Sequence, residues 1–535
     1  MSNLRRLFLG SFALISAFSF GTQHLGAQPA KSIQLKPLGV HETLRFDEGA
    51  VEISAYDPAA RRAFLTFASE PKVEVVDISD PAKPSLAAII DLTPWGGSSA
   101  HATSVAVHDG VVAIAVPQGV DDTAPGRALF FDTNGGFLSA VTVGALPDML
   151  TFTPNGGLLL TANEGQPNNS YTFDPEGSIS IVDMRRGAAA LTNADVTTAG
   201  FMAFNGATLD PSIRIYGPNA TVAQDLEPEY IAVSHDSRTA WVTLQENNAF
   251  AVVDLKTKAV TALIGLGFKN HLLAGSGLDG SRDDRLIGIR PWPVWGMYQP
   301  DAIATFRDRN ATYLVTANEG DVREYEGLPG GTEAVEIEDI ALDGVAFPQG
   351  ATLKNRTLGI GRLKVTAFNG DTDRDGDYDR LFAFGARSFS IWSENGTLVF
   401  DSGQALEELT ANAHPANFNA SNTNNTLDDR SDDKGPEPEG VTVAQLFGRP
   451  YLFVVLERIG GVVVYELSNP AAPRFVQYIN TRNFGAAPGT PAAGDLGAEG
   501  ARVIPAESSP NGRPLLMVSN EVSGTLRLYE IQPAD

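Results

Sequence analysis

One short unit recurs along this chain and constrains the fold more than any other feature. Each copy has an acidic residue near the start of an apolar strand, then a turn, then a second strand that ends near a glutamate. Clear copies begin at Leu146, Glu227, Gln299, Glu437 and Gly497, and degenerate copies begin at Ala50, His101 and Leu363. A chain of 535 residues exceeds the usual size of a single hydrophobic core, so a repeat architecture is expected.

The copy from Glu437 indicates what one unit folds into. It contains four runs with alternating apolar residues, GVTVAQL, RPYLFVVLE, GVVVYEL and RFVQYIN, which turn residues separate. Four antiparallel strands per unit form one blade of a β-propeller. The sequence therefore predicts an all-β propeller with eight blades by repeat count, or with seven if the copy from Leu363 is an insertion.

The two ends of the chain are expected to complete one blade together. The last copy lacks a clear fourth strand before Asp535, and an isolated strand pattern lies at residues 32–40. Closure of this kind leaves no free strand edge in the ring. Residues 28–535 are thus expected to form a single propeller domain, with long inter-blade loops at 187–225, 265–298, 326–362 and 403–434.

The N-terminal residues have the pattern of a secretory signal peptide. Two arginines precede an apolar run at 7–20, and small residues follow up to Ala27. The run is too short to span a bilayer comfortably, and no later stretch approaches a spanning length. We therefore expect cleavage after residue 27, a secreted or periplasmic location and no transmembrane segment.

Charge and cysteine content exclude several function classes. Removal of residues 1–27 takes away two arginines and no acid, so the net charge changes from −25 to −27. A field of this sign repels nucleic acid and attracts divalent cations. The chain has no cysteine, which excludes disulfides, thiolate catalysis and thiolate metal ligands.

Five pairs of acids recur at the same two places of the repeat. One member stands at the start of the first strand and the other at the end of the second, so the two are neighbours across one hairpin. The pairs are Asp148 with Glu164, Glu229 with Glu246, Asp301 with Glu319, Glu439 with Glu457, and Glu499 with Glu521. Since the innermost strands of a propeller line its channel, the pairs are expected to converge on one channel mouth.

Carboxylates that converge in this way must bind either protons or cations to relieve their repulsion. Two carboxylates about 4 Å apart repel by roughly 4 kcal/mol at an effective dielectric constant near 20. Oxygen-rich sites of this kind suit calcium, or another metal that prefers oxygen ligands. The alternative is that each acid accepts backbone hydrogen bonds within its own turn.

Two further acidic segments are candidates for binding. Asp371, Asp373 and Asp375 precede a glycine with the spacing of a calcium loop, although Phe382 stands where an EF-hand has glutamate. The preferred interpretation is a structural calcium site on a hairpin, and the alternative is a solvated turn.

The second segment, residues 428–440, runs directly into a channel strand. Its acids Glu437 and Glu439 are candidate metal ligands, and Arg430 and Lys434 are candidate catalytic residues that hold a phosphate. The alternative is a solvated loop, which a charge run more often forms.

Several segments resemble the bacterial choice-of-anchor I family. They are VEISAYDP near the start, LTANEG, VTANEGDVREY, GARSFSIW and RSDDKGPEPEGV, and the resemblance covers nearly all of the mature chain. Members are secreted or surface propeller proteins, often labelled alkaline phosphatase-like, and are related to animal mesenchyme-specific cell-surface glycoproteins. The resemblance extends to propeller phosphatases and phytases, in which acids at the channel mouth hold calcium and sometimes iron around phosphate. It implies a metal role for Glu437 and Glu439, and the lack of cysteine favours calcium over iron.

Two function classes stay open. One is a secreted, calcium-dependent phosphoric ester hydrolase acting on a small phosphorylated substrate. The other is a non-catalytic extracellular or cell-surface propeller that binds a ligand and contains structural calcium. In both cases a monomer is expected.

Overall fold

The computed structural model describes residues 32–534, and these form an almost entirely β-stranded protein. The predicted signal peptide lies outside the described residues. Strand β1 (Ile33–Glu42) comes first. Three antiparallel sheets of four strands follow, which are blades 1 to 3. Blade 1 consists of β2 (Ala50–Asp57), β3 (Arg62–Phe67), β4 (Lys72–Asp77) and β5 (Ser85–Asp91), and blade 2 of β6 (Ser104–His108), β7 (Val111–Gln118), β8 (Ala124–Asp132) and β9 (Phe137–Ala145). Blade 3 consists of β10 (Pro147–Phe152), β11 (Leu158–Asn163), β12 (Ser178–Asp183) and β13 (Val196–Gly200).

The rest of the chain contains the remaining strands and the α-helices. Helix α1 (Val222–Asp225) precedes blade 4, which consists of β14 (Pro228–Val233), β15 (Thr239–Leu244), β16 (Ala249–Asp254) and β17 (Ala259–Gly265). The elements that follow are β18 (Phe268–Asn270), β19 (Trp295–Met297), β20 (Ile303–Asp308), β21 (Ala311–Asn318), β22 (Ala334–Glu336), α2 (Gly350–Leu353), β23 (Lys364–Thr366), β24 (Phe382–Ala383), β25 (Ser388–Ser393), β26 (Leu398–Asp401), α3 (Ala405–Ala413), β27 (Pro438–Leu446), β28 (Arg449–Leu456), β29 (Val462–Glu466), β30 (Arg474–Ile479), β31 (Ala498–Ile504), β32 (Leu515–Asn520) and β33 (Thr525–Pro533). Within residues 32–534, no helix is long and apolar enough to cross a membrane.

Seven four-stranded sheets form a closed ring of blades. Blade 5 consists of β20, β21, β25 and β26, blade 6 of β27 to β30, and blade 7 of β31 to β33 with β1. The innermost strand of each blade contacts that of the next, and β31 of blade 7 contacts β2 of blade 1. A cluster of buried apolar side chains lies at each junction between neighbouring blades. The β-propeller predicted from the repeats is therefore confirmed.

The eighth copy of the repeat forms a sheet outside this ring. Its strands β23 and β24 belong to a five-stranded mixed sheet in the order β18-β19-β24-β23-β22. The segment between blades 4 and 5 contributes β18 and β19, and the segment between β21 and β25 of blade 5 contributes the other three strands. The predicted inter-blade loop at 326–362 therefore lies within blade 5, because the chain leaves this blade after its second strand and returns to it. This sheet has its own apolar cluster, which includes Leu278, Ile337 and Leu363. Eight sheets thus match the repeat count, and the seven-blade alternative describes the ring, because the copy from Leu363 lies in an insertion.

The terminal strands close the ring. β1 pairs antiparallel with β33 along its whole length, from Ile33 opposite Pro533 to Glu42 opposite Thr525. The side chains of Ile33 and Leu35 pack into the apolar cluster between blades 6 and 7. Blade 7 therefore combines strands from both ends of the described chain.

Burial follows the position of a strand within its blade. The second strand of blade 6, β28, has six consecutive buried residues, Tyr451 to Leu456, because blades pack on both of its faces. The outermost strand of blade 1, β5, is mostly exposed. Apolar runs thus mark the middle of each blade, and the channel-side strands carry the polar residues of the candidate site.

Candidate functional site

The acids that start the first strands, here called first-strand acids, sit where strand pairing is irregular. The pairing register shifts around Asp148 in blade 3, Glu229 in blade 4, Glu439 in blade 6 and Glu499 in blade 7. A β-bulge disrupts the ladder locally and redirects a side chain. In these four blades the repeat therefore encodes a bulge together with the acid, whereas Asp301 of blade 5 lies just before β20, which pairs regularly.

A shared backbone turn links each of these acids to its partner at the end of the second strand, the second-strand acid. The residue two places before the first-strand acid is left-handed in four blades: Leu146 (φ 44°), Gln299 (φ 41°), Glu437 (φ 48°) and Gly497 (φ 69°). In three of these blades the carbonyl oxygen of this residue accepts a hydrogen bond from the backbone N–H of the second-strand acid. These acids are Glu164 (2.9 Å), Glu457 (2.9 Å) and Glu521 (2.7 Å). Left-handed backbone is uncommon for residues other than glycine and persists where the surroundings fix it.

The acids of several blades converge at one mouth of the channel. A cavity of about 170 Å³ is lined by five of the predicted acids, Asp148, Glu164, Glu229, Asp301 and Glu499. The same cavity is lined by Glu52 of blade 1, which sequence reasoning missed. Its signal was available, because AVEI at residues 50–53 aligns with the start of the intact copies. Blade 2 contributes the hydroxyl residues Thr103 and Ser104 instead of an acid.

Burial and mutual repulsion raise the pKa values of these carboxyl groups. Burial, reinforced by Asp148 and Glu521, raises the pKa of Glu52 to about 8, and burial raises that of Asp148 to about 7. Burial comes first for Glu229 as well, and neighbouring acids raise its pKa further. The carboxyl groups of the mouth therefore hold protons near neutral pH unless a cation neutralises them.

Many oxygens at this mouth lack a hydrogen-bond partner. One carboxylate oxygen each of Glu52, Glu164, Glu229, Glu246 and Glu439 is buried and has no partner within residues 32–534. Four of these residues, all but Glu52, expose less than a tenth of their surface. Buried polar atoms are normally satisfied, so these oxygens are free to accept a hydrogen bond or to bind a cation. We call the first- and second-strand acids of blades 3 to 7, together with Glu52, the carboxylate ring.

Protein cations neutralise one side of the carboxylate ring. Carboxylate oxygens of Glu319, Glu437 and Glu457 lie within 4.8 Å of one another. Arg458 contacts Glu437 at 3.2 Å and Glu457 at 2.9 Å, and Lys434 contacts Glu319 and, at 3.6 Å, Glu437.

The two predicted catalytic residues both belong to this neutralised side. Arg430 binds Glu437 at 2.6 Å and Asp433 at 3.1 Å. Lys434 is buried within its ion pairs with Glu319 and Glu437. Burial acts against the positive charge of Lys434, but these glutamates raise its pKa well above the usual value. Both cations are thus engaged by carboxylates of the chain itself.

A second group of buried cations consists of Arg323 and Arg214, close to Glu246. Arg323 contacts Asp225 at 2.7 Å and Glu227 at 3.0 Å, and Arg214 donates to the Glu246 carbonyl at 2.7 Å. Sequence reasoning missed these arginines, since they come from irregular segments outside the repeat.

The predicted calcium loop lies elsewhere. Asp371, Asp373 and Asp375 stand between β23 and β24 in the inserted sheet and do not line the channel cavity. Oxygens of Asp371, Asp373 and Asp379 lie within 4.8 Å of one another, so Asp379 joins this cluster and Asp375 does not. Asp371 accepts backbone N–H groups from Arg374 (2.6 Å) and Gly376 (3.1 Å), as expected for a turn.

A match to a known protein family establishes which family this chain belongs to. The sequence pattern of the choice-of-anchor I domain matches residues 52–470, which is most of the chain. The chain belongs to this family. The resemblance seen in the sequence motifs is thereby confirmed, and the matched range runs from Glu52 of the carboxylate ring to the segment between β29 and β30 of blade 6.

Two animal proteins are similar to this choice-of-anchor I protein over part of their length. Gigasin-3a of Magallana gigas is 31% identical over 188 residues, which are 33% of this chain and 66% of that protein. Mesenchyme-specific cell surface glycoprotein of Strongylocentrotus purpuratus is 29% identical over 284 residues, which are 47% of this chain and 36% of that protein. The chain thus spans less than two thirds of either relative.

Solved structures of low sequence identity also resemble this choice-of-anchor I protein. Hydrazine synthase of Kuenenia stuttgartiensis has a TM-score of 0.46 at 10% identity, with 92% of this chain and 98% of that chain covered. The WD40 domain of Toxoplasma gondii coronin has a TM-score of 0.46 at 10% identity, with coverage of 95% and 90%.

The chemistry available at the carboxylate ring of this choice-of-anchor I protein is that of oxygen ligands. The residues that line the 170 Å³ cavity include carboxylates and hydroxyl groups but no histidine. Sets of oxygen atoms bind hard cations, and a set that includes several carboxylates suits calcium.

Proposed function

We propose that this protein is an extracellular binding propeller whose carboxylate ring holds calcium at one mouth of the channel. The observation that carries the proposal is the set of buried, unpartnered carboxylate oxygens around the 170 Å³ cavity. The N-terminal signal pattern and the cell-surface relative support a secreted, periplasmic or surface location.

Calcium fits the ring better than protons alone. Full protonation would leave carboxyl groups buried side by side, whereas six to eight oxygens around one ion is the usual coordination of calcium. Magnesium requires stricter octahedral geometry and retains water. The side of the ring without protein cations, around Glu52, Glu164 and Glu229, is the part with the most uncompensated negative charge.

The structure gives less support to the phosphoric ester hydrolase hypothesis. That hypothesis needs Arg430 and Lys434 to meet a phosphate, and both cations already contact glutamates of the chain. Release of either cation would leave a buried carboxylate without its partner, which is costly. A binding role with calcium in the ring uses the same residues without breaking these pairs.

Calcium titration of a ring variant tests the proposal. Glu229→Gln removes one charge and keeps the size of the side chain, so calorimetry should show calcium affinity reduced at least ten-fold with the fold intact by circular dichroism. The matched control is Glu394→Gln, because Glu394 is exposed and its side chain makes no ion pair within residues 32–534. Equal calcium affinity in wild type and Glu229→Gln would contradict the proposal, and ester hydrolysis abolished by Glu229→Gln would revive the hydrolase hypothesis.

A further inference from the structure

The channel continues beyond the carboxylate ring into a larger cavity. This second cavity has a volume of about 560 Å³ and shares Ile53, Ser104, Met149 and Tyr230 with the first. The two cavities are therefore adjacent along one channel. A volume of this size lies within the range of sites that bind small organic molecules.

The second cavity contains one cation, Arg502 of β31. Glu499 of the carboxylate ring stands three residues earlier on the same strand, so at about 3.3 Å per residue Arg502 lies roughly 10 Å further along the channel. The guanidinium group of Arg502 makes no ion pair or hydrogen bond within residues 32–534. The side chain of Arg502 is exposed to the cavity, so its guanidinium group is accessible to a ligand.

Tyr230 lies beside this cation. Its side chain lines both cavities, and its hydroxyl group has no hydrogen-bond partner within the described chain. A phenol hydroxyl group is protonated at neutral pH and can donate a hydrogen bond. Arg502 and Tyr230 together offer donors to an oxyanion.

Part of the cavity is aliphatic, since the partly exposed side chains of Ile53, Met149, Val443 and Val503 form one wall of it. The polar residues Ser54, Thr151, Thr442 and Gln445 line the rest. Glu507 also lines the cavity but makes no ion pair with Arg502. An apolar body attached to an acidic group would cover the aliphatic wall, which an inorganic anion would leave uncovered.

We propose that the channel is a binding site for a small organic anion, whose acidic group pairs with Arg502 and whose apolar body packs against the aliphatic wall. This inference goes beyond calcium binding by the ring and does not require it. Planar or tetrahedral oxyanions both match the fork of a guanidinium group, so the shared chemistry is an acidic oxygen group on an apolar molecule.

Octanoate is a suitable probe, with acetate and inorganic phosphate as separate arms. Calorimetry on the whole mature protein should show octanoate bound at least ten-fold more tightly than acetate or phosphate, because only octanoate covers the aliphatic wall. Arg502→Gln should weaken octanoate binding at least ten-fold, and Arg502→Lys should retain part of the affinity. The matched control is Arg127→Gln, since Arg127 is exposed on β8 outside the channel.

Binding of octanoate at Arg502 and binding of calcium at the carboxylate ring can be tested independently. Octanoate affinity unchanged by Arg502→Gln, or no stronger than that of acetate, would overturn the inference. Calcium affinity measured on the same Arg502→Gln protein should equal that of wild type, since Arg502 is not a ligand of the ring. Loss of calcium binding by Glu229→Gln with octanoate binding retained would support both sites.

Discussion

Glu437 has a different environment from the other acids of the site. It is fully buried and contacts Arg430 at 2.6 Å, Arg458 at 3.2 Å and Lys434 at 3.6 Å. Burial alone raises the pKa of Glu437, but these three cations outweigh burial and the net pKa is lowered. Glu437 therefore neutralises cations, whereas Glu52 and Glu229 make no ion pair within residues 32–534.

Replacement of Glu437 should be strongly destabilising. Glu437→Gln leaves buried cations without their carboxylate, and loss of one partner of a buried ion pair costs about 3 kcal/mol or more. Denaturant unfolding at neutral pH should show this loss, against less than about 0.5 kcal/mol for the exposed control Glu394→Gln. A small effect of Glu437→Gln would contradict the assigned role.

The ring acids predict an unusual pH dependence of stability without metal. Their pKa values are raised in the folded state, to about 8 for Glu52 and about 7 for Asp148. Protonated ring acids therefore favour the folded state below about pH 5, and this stabilisation is lost as pH rises through the folded pKa values. Each pKa unit corresponds to about 1.4 kcal/mol.

In chelator, the free energy of unfolding should fall by at least about 2 kcal/mol between pH 5 and pH 8. Saturating calcium should flatten this decline, because a ligand of the folded state alone stabilises it. Unfolding curves at each pH with chelator and with calcium test this. Stability that rises with pH in chelator would show that the ring acids are ionised without metal.

At the scale of the elements, the features that lie within one copy of the repeat could be predicted from the sequence. The first-strand acids, their hairpin partners and the blades could be predicted, because spacing within one hairpin fixes them. The contact of Lys434 with Glu319, 115 residues away, depends on the adjacency of blades 5 and 6, which spacing does not reveal. Asp321, a partly buried acid near Lys434, also follows its strand without a repeat signal.

Gly440 shows how the inner strands hold two ring acids in place. It follows Glu439 in the bulge of β27, and a methyl group there would overlap the carbonyl oxygen of Glu499 on the adjacent blade. Gly440→Ala should cost about 1–3 kcal/mol of stability and lower calcium affinity. Gly200→Ala is the matched strand control, since nothing lies within 4 Å of its added carbon atom. Equal calcium affinity in both variants would show that the bulge does not position the ring.

At the scale of the whole molecule, ring closure connects distant parts of the site. Blade 7 carries Glu499 and Glu521 and contacts blade 1, which carries Glu52. Its fourth strand is β1, whose removal would expose the free edge of β33. The carboxylate ring therefore depends on a strand that contains none of its members.

A mature chain that lacks residues 28–42 should be less stable and should bind calcium more weakly than the full mature chain. Thermal unfolding and calcium titration of both proteins test this, with size-exclusion chromatography to detect association through the exposed edge. A synthetic peptide of residues 32–42 added in excess should restore part of the affinity. Unchanged calcium affinity without β1 would show that the carboxylate ring does not depend on closure of the propeller by β1.

Anomalous diffraction can locate a metal bound to the carboxylate ring. Crystals grown with terbium, which replaces calcium and scatters X-rays anomalously, would show the position of the ion in the electron density. We predict an anomalous peak inside the carboxylate ring, with oxygens of Glu52, Glu164 and Glu229 among ligands at about 2.3–2.6 Å. A ring without a peak at neutral pH, while the exposed loop at Asp371 is occupied, would contradict it.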